Sequence, residues 1–94
     1  MLSSESFREL TRRVKDAAAR HCGGRLVLAH EGGYSPFAVP FCGLAVVEEL
    51  RGVRTEVEDP YLPIVENYGG QLRPHQADAI AAAAALVPRV PSPR

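Results

Sequence analysis

Apolar residues recur at three- and four-residue steps between positions 4 and 21. Phe7, Leu10, Val14, Ala17, Ala18 and His21 fall on one stripe, which predicts an amphipathic helix. Arg8, Arg12, Lys15 and Asp16 populate the other side. Ser6 with Glu9 has the spacing of a capping box, and Ser4 is an equally good start. Gly23 and Gly24 supply the stop, because glycine takes the left-handed position after a helix without penalty. The pattern then changes. Residues 25–29, RLVLA, form a short unbroken apolar run. A strand with one wet face would alternate. This run predicts a strand covered on both faces, as in a parallel sheet, with a buried helical segment as the alternative that periodicity leaves open.

A second helix is predicted over 38–51. Ser35 before Pro36, or Pro40 itself, can open it, since proline fits a first helical turn. Phe41, Leu44, Ala45, Val47 and Leu50 are apolar, and Cys42 and Val46 widen the stripe, so the helix should be mostly covered. Residues 53–73 contain Pro60, Pro63, Gly69 and Gly70. VRTEV alternates weakly. The rest reads as an ordered loop that packs through Leu62, Ile64 and Val65, with Tyr61 and Tyr68 holding it down. Pro74 opens a third helix that the alanine run carries to about Val87. Pro88 ends it, and 88–94 reads as a frayed tail.

One strand cannot satisfy its own backbone donors and acceptors. Either VRTEV pairs with RLVLA, or the neighbouring strands lie on another chain, or this is a piece of a larger protein. The order of elements fits the last helix–strand–helix unit of a doubly wound α/β sheet. In such sheets ligands bind outside the carboxyl ends of the strands. EGGYSP, residues 31–36, stands at that place. Gly32 and Gly33 let the backbone approach a ligand and adopt positive φ. The Tyr34 phenol can donate a hydrogen bond to whatever binds.

Composition narrows the reading. Ninety-four residues allow one small domain. Eleven basic residues balance eleven acidic ones, which argues against a nucleic-acid or membrane-surface partner. No run approaches the ~20 apolar residues of a membrane span. MLSSESFREL lacks the basic and apolar regions of a secretory signal, and Cys22 and Cys42 form no CxxC pair, so a reduced, cytoplasmic setting is expected. His30 and Glu31 are neighbours on a strand and point to opposite faces, so they do not converge on a metal. Glu31 is better placed for structural hydrogen bonds at the base of the loop. His21 and Cys22, adjacent at a helix end, make no ligand set either. Cys42 reads as a small apolar residue.

The stretch GGRLVLAHEGGYSPFAVPFCGLAVVEEL resembles the C-terminal part of the zinc-dependent deacetylases. That family comprises histone deacetylases, bacterial histone deacetylase-like amidohydrolases, acetylpolyamine amidohydrolases and acetoin-utilisation proteins. The likeness runs from SSESFRELTRRV through EEL to DPY, and the Glu-Gly-Gly-Tyr form is closer to the class II and bacterial branch. The resemblance implies an arginase-like α/β fold with a central parallel sheet, of which 1–87 would be the mostly helical terminal portion. It implies hydrolysis of acetyl-amide bonds of acetyl-lysine or an acetylpolyamine by a zinc-bound water, with two histidines as general base and acid. Tyr34 would be the catalytic tyrosine that stabilises the oxyanion, and Gly32 and Gly33 would hold the backbone clear of the acyl channel. The family's Asp-x-His and further Asp zinc ligands, and its His-His pair, lie upstream of that motif and have no counterpart here. The expectation is therefore a deacetylase fragment that binds no zinc and turns over no substrate by itself. Its partner would be the missing N-terminal part of the domain. The alternatives are a split enzyme completed by a second chain, and a non-enzymatic protein that associates with itself or another partner.

Overall fold

The computed structural model describes residues 2–69 and 71–92. Four α-helices follow one another: α1 (Ser4–Cys22), α2 (Val39–Arg51), α3 (Leu62–Gly69) and α4 (Pro74–Ala84). Ser3 caps α1. Its Oγ accepts the Ser6 N–H, and the Ser6 hydroxyl accepts the Ser3 N–H in return, each at 3.2 Å. The capping box thus sits three residues earlier than the Ser6–Glu9 reading. At the other end Gly23 takes the left-handed conformation, with φ 63° and ψ 32°. Pro40 lies in the first turn of α2, where a missing N–H costs nothing.

Two boundaries depart from the sequence reading. Helix α3 lies inside the segment read as a loop. Its prolines are not breakers, because Pro63 occupies the first turn and Pro60 lies before the helix, in a turn that Asp59 holds. The Asp59 carboxylate accepts the Tyr61 N–H at 2.9 Å, and its carbonyl accepts that of Leu62 at 3.3 Å. Helix α4 ends at Ala84, three residues short of Val87. A proline ring clashes with the carbonyl four residues before it, and for Pro88 that carbonyl belongs to Ala84. A 3-10 turn over Val87–Arg89 follows. The expected tail over 88–94 thus begins inside this turn, and its last two residues lie outside the described ones.

The strand is the larger correction. No residue among those described is in a strand, and the chain is mostly helical. RLVLA has no neighbouring strand to pair with, so it remains irregular, and Val27 is 93% exposed. VRTEV does not pair with it. Thr55 turns its N–H to Glu48 on α2 instead.

Helix α1 meets α2 through a mostly polar side that adjoins its apolar stripe and shares Ala18 with it. The side turned to α2 carries Ser4, Arg8, Thr11, Lys15 and Ala18, while Phe7, Leu10 and Val14 are exposed. Among the described residues, Ala18 and Ala45 are the buried apolar ones. The accessible surface is 8044 Å², against about 5,300 Å² for a folded monomer of this mass. The radius of gyration is 15.9 Å, against about 12.4 Å for a compact domain of this length. No helix among the described residues is long and apolar enough to cross a membrane.

Candidate functional site

The EGGYSP loop joins the irregular run 25–29 to α2. Gly32 and Gly33 both lie at positive φ, 67° and 76°. Side-chain-bearing residues seldom adopt this conformation. Together the two glycines turn the chain back toward α2 and leave Tyr34 at the crest, 94% exposed. A Cβ on Gly33 would stand 3.1 Å from Val39 Cγ2 and 3.4 Å from His30 Nε2, so the loop lies against both side chains. On the other flank, Ser35 Oγ accepts the Ala38 N–H and the Ser35 carbonyl accepts the Val39 N–H, each at 3.2 Å. These two donors belong to the start of α2, where the helix itself provides no acceptor.

Phe37 and Phe41 close around Tyr61, with ring centroids 5.7 and 6.0 Å away. Such edge-on and tilted contacts suit the aromatic quadrupole. Tyr61 therefore packs its segment as expected, while Tyr68 is exposed and holds nothing down. Glu31, expected to brace the loop, makes no side-chain hydrogen bond among the described residues. Cys42 is half-buried, and burial followed by the nearby Asp59 charge raises its thiol pKa. That is the wrong direction for a nucleophile.

A second polar centre, which the sequence reading missed, lies between α1, α2 and residues 54–59. Arg8 donates to Glu48 at 2.6 Å, with both side chains nearly buried. Glu48 also takes the Thr55 N–H at 2.8 Å and the Thr55 hydroxyl. Ser4 donates to Asp59 at 2.6 Å, and Arg54 to Glu5 at 2.6 Å. The Thr55 hydroxyl, then Arg8, then the Thr55 N–H hold the Glu48 carboxyl down to about 2. Burial opposes the charge on Arg8, but its bonds to Glu48 and Glu5 outweigh that and raise its pKa. The cleft beside this cluster has a volume of about 440 Å³, and Arg8, Glu48, Arg54 and Glu5 on its lining are paired with one another. It is a structural clasp. Its only sequence signal is the spacing of Ser4, Arg8, Thr11, Lys15 and Ala18 at three- and four-residue steps.

The metal question has a plain structural answer. No three His, Cys, Asp or Glu side chains among the described residues gather closely enough to hold an ion. The residues present do not fit a zinc site.

No family model matches the chain. It is 63% identical over 65 residues to the Histone deacetylase-like amidohydrolase of Pseudomonas aeruginosa, a stretch covering 69% of this chain and 17% of that protein. It is 36% identical over 66 residues to the Probable deacetylase of Archaeoglobus fulgidus, covering 66% of this chain and 18% of that protein. These similarities support a deacetylase relationship. The chain matches less than a fifth of the length of either relative. Any unbroken 65-residue stretch of a 94-residue chain contains residues 30–65, so EGGYSP and all of α2 lie within the more similar region.

Proposed function

We propose that this chain is a C-terminal portion of a zinc-dependent deacetylase domain and supplies its oxyanion-stabilising tyrosine, Tyr34. The observation that carries the reading is the 63% identity to a protein named an amidohydrolase, over a stretch that contains the EGGYSP loop. The exposed Tyr34 phenol supports it, since a donor at a loop crest can reach a bound substrate. The substrate class is an acetylated amine, acetyl-lysine or an acetylpolyamine, handled in the cytoplasm. Tyr34 would donate its hydroxyl proton in a hydrogen bond to the acyl carbonyl oxygen as that oxygen gains negative charge. A donor fixed before reaction stabilises the transition state without the reorganisation that water would need. Gly32 and Gly33 keep side chains out of the acyl channel. With no ligand set among the described residues, the zinc and the paired histidines would come from the rest of the domain.

The same reading accounts for the exposed apolar surface. Residues 25–29 would become a strand once parallel neighbours offer hydrogen bonds on both edges. The Phe7, Leu10 and Val14 face would pack on that sheet. A second reading, that this surface is covered by another polypeptide of a split enzyme or by a copy of the chain with no catalytic role, rests on the same exposure.

The test is a chimera in which this chain replaces the matching stretch of the Pseudomonas aeruginosa relative. Hydrolysis of an acetyl-lysine peptide and of an acetylpolyamine is measured. The chimera is expected to be active, and Tyr34→Phe to lower kcat by about 100- to 1,000-fold. A folded chimera that cleaves neither substrate, or one indifferent to Tyr34→Phe, would overturn the proposal.

A further inference from the structure

Tyr34 is flanked by two attachments that converge on one residue. Before it, Gly33 lies against the Val39 side chain, so closely that a Cβ there would come within 3.1 Å of Cγ2. After it, the Ser35 carbonyl accepts the Val39 N–H at 3.2 Å. The Ser35 hydroxyl takes the Ala38 N–H beside it. Val39 is the first residue of α2, and Gly52 closes the far end of the helix at φ 74°. A loop without regular structure on its N-terminal side is thus fastened on both sides of its crest to one point on a rigid element.

We infer that Val39 is a positioning residue for Tyr34, with Ser35 as its partner: the side chain of Val39 holds Gly33, its N–H holds Ser35, and the tyrosine between them keeps one direction. The inference rests on the proposed role of Tyr34 for its catalytic consequence, but its structural content does not. Val39 touches no reacting atom. Its effect on turnover has to pass through the tyrosine, because misplacing a catalytic group by about 1 Å costs on the order of 100-fold. The two attachments are also chemically distinct. Truncating Val39 removes the packing on Gly33 and leaves the N–H to Ser35 in place. Ser35→Ala removes the supporting hydroxyl bond to Ala38 and leaves both attachments to Val39 in place.

Two measurements test this. In the 94-residue chain, backbone ¹⁵N relaxation reports the order of the Tyr34 amide. Val39→Ala should loosen Tyr34 and Gly33 while the Ala45 and Glu48 amides keep their order. Val39→Ile, which restores the branched packing surface, should rescue it. Unchanged Tyr34 relaxation in Val39→Ala would overturn the inference whether or not the chain belongs to an enzyme. In the chimera, Val39→Ala should lower kcat by about 10- to 100-fold with KM little changed. On a Tyr34→Phe background it should cost nothing further, since a group that acts through the tyrosine has nothing left to position. An equal loss on both backgrounds would show a general structural role and overturn the inference. If Tyr34→Phe is itself silent, the functional reading fails, and the relaxation result still decides whether Val39 holds the loop.

Discussion

Ser3 shows how much one side chain near the start of a helix can carry. Its hydroxyl and that of Ser6 exchange bonds with each other's N–H. Ser3→Ala should therefore cost about 1 kcal/mol, read as a lower helix signal by circular dichroism and an earlier melt. The glycines of the loop separate by the same logic. Alanine at Gly32 meets nothing within 4 Å and suffers only its φ of 67°, a strain of about 1–2 kcal/mol. Alanine at Gly33 suffers a similar φ and also pushes on Val39. Gly33→Ala should disorder the Tyr34 amide more than Gly32→Ala, and ¹⁵N relaxation compares them directly. The need for glycine before Tyr34 was legible in the sequence, because positive φ is a property of single residues. The contact with Val39 was not, since it depends on a turn that brings positions six apart into touch.

Between elements, the α1–α2 seam is set by charge where the sequence pattern pointed to an apolar stripe. The three- and four-residue spacing located α1 correctly, and glycine located its end. The stripe marked only an edge of the contact: Ala18 is buried as part of it, but the adjoining series Ser4, Arg8, Thr11 and Lys15 meets α2 while Phe7, Leu10 and Val14 stay exposed. Prolines misled in a related way at α3: their effect depends on whether they fall in a first turn, which composition does not reveal. The seam has a clear acid response. Glu48 titrates at about 2 in the folded chain against 4.5 unperturbed. A folded pKa below the unfolded value adds stability that is complete above about pH 4.5 and is lost as pH falls toward 2. Thermal melts should shift downward across that window, and Glu48→Gln should start lower at neutral pH and lose less. The Thr55 amide proton, bonded to Glu48 Oε1 at 2.8 Å, should move with a midpoint near 2.

Taken as a whole, the molecule is short of interior. Among the described residues two alanines supply the buried apolar positions, and the surface exceeds that of a compact chain of its mass by about half. The apolar run at 25–29 reads as a strand in the sequence, yet no strand forms among the described residues and the run stays irregular with Val27 bare. Among the described residues there is neither a sheet nor a group of three metal-ligating side chains. The chain by itself should bind a hydrophobic dye and associate as its concentration rises, with sedimentation velocity showing growing species. A monomer that stays dark to the dye and melts sharply and reversibly would contradict this picture.

The orientation of α1 has a consequence for ionic conditions. Its inner side is fastened by Arg8 to Glu48 and by Lys15 and Arg12 to Glu49, and its outer side offers Phe7, Leu10 and Val14. Sodium chloride screens the half-exposed pairs at Glu49 within a Debye length of about 8 Å at 0.15 M. Sulfate instead strengthens apolar burial, because it is excluded from such surfaces. Either salt therefore loosens the Glu49 pairs on the inner side, and sulfate in addition drives the outward stripe toward any surface that will cover it. At matched ionic strength, exchanging chloride for sulfate should leave the seam equally screened and raise self-association alone.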